Sequence, residues 1–250
     1  MNPKLKIIVL LFIATLSCKK ETANLLTFSD YSEEFKGVCS NGDCAEVIID
    51  FIKINGDTEA ASRINYVIGG SIIYFLNSEI DKKIKATTIT EASKVFLKSY
   101  ENDRKEFPET SPYSAEVNVA KSYSSPLLLS IETNYSSFTG GVHGYQKTGF
   151  LNFDPNNGNL ITTSSLFKNK EEFTNFAEQL FREKNKIAES DAINSTGFWF
   201  KNDKFHLPES IGFSDENVVL IYNQYEIASY AEGVIELLIP LEEAKPYLTF

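Results

Sequence analysis

The chain has 250 residues, 42% of them hydrophobic and 13% aromatic, with a formal charge of −10. That is enough apolar matter for a sizeable core, and far from the low hydrophobicity of a disordered chain. The acidic balance argues against nucleic acid and against anionic lipid headgroups as partners, and it suits a cationic one.

Residues 1–17 read as a secretory signal. Lys4 and Lys6 form a short basic region, and Leu5 to Leu16 is a nearly unbroken apolar run. At about a dozen residues it is short of the ~20 needed to span a bilayer. Its end, Ala14-Thr-Leu16-Ser17-Cys18, resembles the bacterial lipobox, in which the chain is cut before the cysteine and the cysteine is acylated. Several acyl chains hold a protein to a membrane more stably than one. The expectation is a lipoprotein of the bacterial cell envelope, periplasmic or surface-exposed, with the bilayer as a partner through acylated Cys18. Loss of Lys4 and Lys6 with the signal leaves 22 basic against 34 acidic residues, a mature charge of −12.

Residues 18–36 have no sustained period and read as a tether. Cys39 and Cys44 flank an Asn-Gly turn. An exported compartment permits a disulfide between them, and the turn can bring the two side chains together. Free thiols, or half of a zinc site completed by the distant His143 and His206, are the alternatives.

Ala45 to Ile54 is rich in Val and Ile and predicts a strand. Asn55-Gly56-Asp57 breaks it, and Asp57 can cap the helix that follows. Ile64, Val67, Ile68, Ser71 and Phe75 share one helical face, which predicts a helix to about Ile84. A second helix, over about 88–107, has Ala92, Val95, Phe96 and Tyr100 as its stripe and stops before Pro108. The period then changes to two. Strands are predicted over about 115–123, 127–135 and 145–153 as an antiparallel meander, followed by a short strand at 159–162. Glu171 to Ala188 is the clearest late helix. Strands follow at 218–222 and 234–239, with a terminal helix at 241–247. The segments 197–200 and 205–207 are aromatic and fit no period; Trp199 with its neighbours Phe198 and Phe200 suits a sugar platform or core packing.

The centre of the chain is Thr139-Gly-Gly-Val-His-Gly144, a glycine-rich bend leading into the strand from Tyr145, which closes in the turn Asp154-Pro-Asn-Asn-Gly158. Together with Asn152-Phe-Asp154 and Leu166-Phe167, this bend is similar to the core of the domain family typified by the extracytoplasmic part of the anti-sigma factor RsiV. The same domain precedes the catalytic unit of the peptidoglycan deacetylase PdaC. Tyr222-Asn-Gln-Tyr-Glu-Ile-Ala-Ser-Tyr-Ala-Glu-Gly233, Ile239-Pro240 and Tyr247-Leu248 carry the likeness into the last third, and Ala60 to Ile80 resembles the family's first helix. The resemblance spans about residues 37–248. It implies an α+β fold, an antiparallel sheet with helices packed on it, in two intertwined subdomains at 37–112 and 113–250. It implies an envelope protein and no single activity; RsiV-like members sense lysozyme. No sigma-binding segment precedes the signal and no deacetylase unit follows, so neither role is expected.

Catalytic motifs are absent: no Gly-x-Ser-x-Gly, no His-Glu-x-x-His, no phosphate loop. No cofactor or metal is expected. Two functions fit. The first is a non-enzymatic binding module whose ligand is an envelope protein, such as a cationic muramidase, or a wall glycan, with Gly140, Gly141, His143, Gly144 and Tyr145 as candidate contacts. The second is a wall-modifying hydrolase using His143 as general base; otherwise that imidazole serves to hydrogen-bond backbone beside the bend.

Overall fold

The structure, a computed structural model, describes residues 26–40, 42–79 and 86–250. The expected signal segment, residues 1–17, and the expected acylation site Cys18 lie outside the described residues. Among the described residues, eight strands and four helices form two sheets with a helical cover, an α+β architecture.

The first sheet runs β1 (Phe28–Ser40), β2 (Asp43–Ile54), β3 (Ser114–Ser124), β4 (Leu129–Phe138) and β5 (Tyr145–Phe153) in that spatial order. Residues 28–36, expected in the tether, are the first part of β1. A polar strand with little period-two signal is held there by its hairpin to β2, paired from Phe28↔Ile54 to Ser40↔Asp43 with a register shift between Lys36 and Cys39. The disulfide Cys39–Cys44 closes that hairpin, which replaces the free-thiol and zinc alternatives.

The sheet is mixed. β2 and β3 pair in parallel, Val47 beside Ala115 and Ile49 beside Val117, while the other pairs are antiparallel. A parallel pair needs a crossover, and two helices supply it. α1 (Glu59–Ser78) is capped by Thr58, whose side chain accepts from the Ala61 amide, and not by Asp57 as expected. α2 (Ile89–Glu106) is capped by Thr88 in the same way. Ile64, Ile68, Ile72 and Phe75 of α1 and Phe96 and Tyr100 of α2 pack on Val47, Ile49, Val117 and Ile131 of the sheet, forming one core.

The second sheet is β6 (Ser210–Phe213), β7 (Asn217–Tyr222) and β8 (Ile235–Pro240), antiparallel throughout. The strands after Ala115 were expected in one sheet; they divide between two, because β3–β5 share the first core while β6–β8 face another. There α3 (Lys170–Asn185) buries Phe173, Ala177 and Phe181 against Leu220, Tyr222 and Ile239. The first core draws on residues from both sides of the expected 112/113 boundary. Leu128, from the turn between β3 and β4, crosses over and is buried in the second core.

The two sheets are tied edge to face. Asn152 Nδ2 donates to Ile211 O at 2.8 Å, and Phe213 N donates to Ser130 Oγ at 3.2 Å. The segment expected as a strand at 159–162 is reduced to an isolated bridge, Phe153↔Leu160. The terminal helix is one turn, α4 (Leu241–Ala244), running into a 3-10 turn over Lys245–Tyr247. Phe200 and Phe205, from the untyped aromatic segments, are buried around Phe181, whereas Trp199 is half-exposed.

Candidate functional site

The glycine bend joins β4 to β5 at one end of the first sheet. Gly140 has φ +83°, and a Cβ there would press on Thr110 and Tyr113 at 3.2 and 3.3 Å. At Gly144 a Cβ would lie 2.8 Å from Ser137 O, so the return strand can approach only without one. These two glycines bring the loop back along β4 and present His143 at its tip.

A second loop meets it, the segment between β7 and β8. Asn223 pins that loop to β5 by imitating a strand: it accepts from Thr148 N at 2.8 Å and donates to Thr148 O at 2.9 Å. Glu226 fixes the loop in turn by accepting from Asn223 N at 2.9 Å. Tyr225 takes a left-handed conformation, φ +66°, and is exposed. Tyr230 Oη donates to Gly144 O at 3.3 Å, and its ring stacks on His143 with centroids 4.1 Å apart.

Between the loops is a cleft of about 180 Å³. Aromatic rings line it, those of His143, Tyr145, Tyr225 and Tyr230, with the carboxylate of Glu79 entering from just past the end of α1. Ser137 Oγ donates to Glu79 Oε2, which orients the acid. The Tyr145 phenol is held above its ordinary pKa, first by burial, then by the Glu79 carboxylate and Tyr74 nearby. Of the expected contact residues, His143, Gly144 and Tyr145 line the cleft, while Gly140 and Gly141 shape the loop behind it.

The set His143, Ser137 and Glu79 is one that nucleophilic catalysis could use, but it is wired otherwise. An activated serine donates to the imidazole, and the imidazole donates to the acid. Here the serine proton goes to the acid, and His143 Nδ1 donates to Gly144 O at 3.3 Å. Among the described residues no hydrogen bond joins His143 to Ser137 or Glu79. Nor, among them, is there a cluster of three or more metal-ligating side chains, or a helix long and apolar enough to cross a membrane.

Sequence reasoning missed Glu79, Ser137, Tyr225 and Tyr230. Tyr225 and Tyr230 do sit in the second of the two motifs that carry the family resemblance; the structure shows that the two motifs touch.

Fold and cleft define a two-sheet α+β protein with an open aromatic surface site. More particularly, its two parts are each similar to a known family model. Residues 38–146 match the family model described as deacetylase PdaC, and residues 164–242 match the protein family of unknown function DUF3298. No curated protein matches the chain in sequence. Among solved structures it is similar to a DUF3298 family member from Bacteroides fragilis, with 20% identity, TM-score 0.69, and coverage of 90% of this chain and 94% of that one. It is also similar to a DUF3298 family protein from Pseudomonas aeruginosa, with 19% identity, TM-score 0.63, and coverage of 91% and 96%. At such identities the likeness concerns the fold.

Proposed function

We propose that this chain is a lipid-anchored, non-catalytic binding module of the bacterial envelope, whose ligand is a cationic envelope protein such as a muramidase. The observation that carries the reading is the cleft: four aromatic rings around one carboxylate. Tyrosine ring faces attract a Lys or Arg head by about 0.5–2 kcal/mol each, depending on desolvation, and the carboxylate of Glu79 beside them adds a charge-assisted hydrogen bond. A mature charge of −12 supplies the long-range attraction for a basic protein. The wiring of Ser137 to Glu79 supports binding over the hydrolase reading.

Calorimetric titration with lysozyme at low and moderate salt tests this, with Glu79→Gln and Tyr230→Ala alongside. Binding should weaken severalfold as salt rises, and each variant should weaken it further. Absence of heat at both salts would remove a cationic muramidase as the ligand. Turnover of a wall substrate that is lost in His143→Ala would establish the hydrolase instead.

A further inference from the structure

Glu79 stands where a helix least favours an acid. It follows α1 directly as its C-terminal cap, and the last turn of α1 holds no basic residue. The unpaired carbonyls at a helix C-terminus carry partial negative charge and favour a cation there. Carboxylate and helix end therefore reinforce one another at the edge of the cleft. Among the described residues, none of the ion pairs includes Glu79.

The acceptors around this charge are selective. Ser137 is 5% exposed and gives its only proton to Glu79 Oε2. That oxygen is engaged, while Oε1 accepts no hydrogen bond among the described residues. Ser137 Oγ keeps its lone pairs and lines the same cleft. A guanidinium is planar and seeks both oxygens of a carboxylate side by side. Here its fork meets one open oxygen and one already in use. An ammonium has three diverging donors and needs no such plane, so a single oxygen and a hydroxyl lone pair serve it. The tyrosine rings do not discriminate, since both cations bind ring faces. At about 180 Å³ the cleft is smaller than the ~300 Å³ at which pockets begin to hold drug-sized ligands, and it takes one side-chain head.

We propose that the cleft is a primary-ammonium site, which takes a lysine side chain of its partner in preference to an arginine. Glu79 determines that specificity, and Ser137 positions it. The inference rests on the reading of the cleft as a binding site for a cationic protein, and it adds which cation enters.

NMR titration of the purified protein with n-butylammonium and n-butylguanidinium chloride tests the head group without any protein partner. Butylammonium should shift the resonances of Tyr145 and Tyr230 with a dissociation constant in about the millimolar range. Butylguanidinium should bind at least about fivefold more weakly, the loss of one charge-assisted hydrogen bond. Ser137→Ala frees Oε2 and should narrow that gap, where a merely structural hydroxyl would weaken both cations alike. Glu79→Gln should abolish the ammonium shifts while the melting temperature holds or rises, because the charge has left the helix end. Lysozyme whose lysines are converted to homoarginine keeps its charge, and it should bind more weakly than native lysozyme. Equal affinity for the two small cations, or for the two lysozymes, would overturn the proposal and leave a cationic partner standing. No shift with either small cation would overturn it whatever lysozyme does. A butylammonium preference without any lysozyme heat would remove the muramidase and uphold the ammonium site.

Discussion

Gly212 of β6 lies directly against the ring of Phe150 on β5, so close that a Cβ would fall 1.9 Å from the ring's Cδ1. The edge of the second sheet can therefore settle on the first only where one residue has no side chain. Gly212→Ala should destabilise the protein by about 1–3 kcal/mol, the usual cost of an overpacked site. Phe150→Leu, by making room, should recover part of the loss in the double variant. Urea unfolding of the four proteins gives the coupling energy; additive losses would mean that the ring moves aside without strain.

The disulfide Cys39–Cys44 closes a very short loop at the tip of the β1–β2 hairpin. A small loop removes little entropy from the unfolded chain, and the chain-entropy relation gives about 2 kcal/mol at most. Cys39→Ser with Cys44→Ser should lower stability by no more than that and leave a cooperative unfolding transition. Arg104 Nη1, which donates to Cys39 O at 2.9 Å, still braces the turn. Global unfolding in reductant would contradict this.

Alkali should unfold the protein through buried phenols. Tyr222 is held far above its ordinary pKa by burial and then by Glu226, with its hydroxyl donating to His206 O at 2.6 Å. Tyr113 is also raised, by burial and then by its hydrogen bond to Asp103. A phenol whose folded pKa is raised keeps its proton while the unfolded chain loses one. Stability is thus fully present below pH ~10, the unfolded value, and falls as pH climbs above it. Denaturant midpoints measured from pH 8 to 11 should drop above pH ~10, and the drop should be shallower in Tyr113→Phe. A flat profile would refute the linkage.

Cys18→Ala should leave the chain unacylated, whereas the natural protein should take up labelled palmitate in a bacterial host. Equal uptake by both would end the lipoprotein reading.

Much of this fold was legible from periodicity. α1, α2, α3 and the alternating β3 and β4 each declare an apolar face through residues such as Ile64, Phe96, Phe173 and Val117. What was not legible is pairing. β1 is Phe-Ser-Asp-Tyr-Ser-Glu-Glu in its first half, an edge strand whose order comes from β2 and not from its own pattern. The parallel β2–β3 ladder and the division into two sheets depend on which cores the strands share, and a one-dimensional pattern does not contain that. In the cleft, the glycine bend drew notice because Gly140 and Gly144 do unusual backbone work. Glu79 gave no signal: a carboxylate after a helix is ordinary until Ser137, fifty-eight residues on in sequence, is seen to donate to it.

The parallel ladder between β2 and β3 also orders events in time. Each hairpin, β1–β2 and β3–β4, can close locally, but joining them needs Val47 to wait for Ala115, with α1 and α2 made in between. Until the chain is available as far as β3, the first hairpin has the whole flank of β2 unpaired. That flank, Val47 to Phe51, is the most apolar strand segment in the first half of the chain, and an open strand edge invites the wrong partner. That edge is therefore most open to mispairing before residue 119 is in place and β3 can cover the gap.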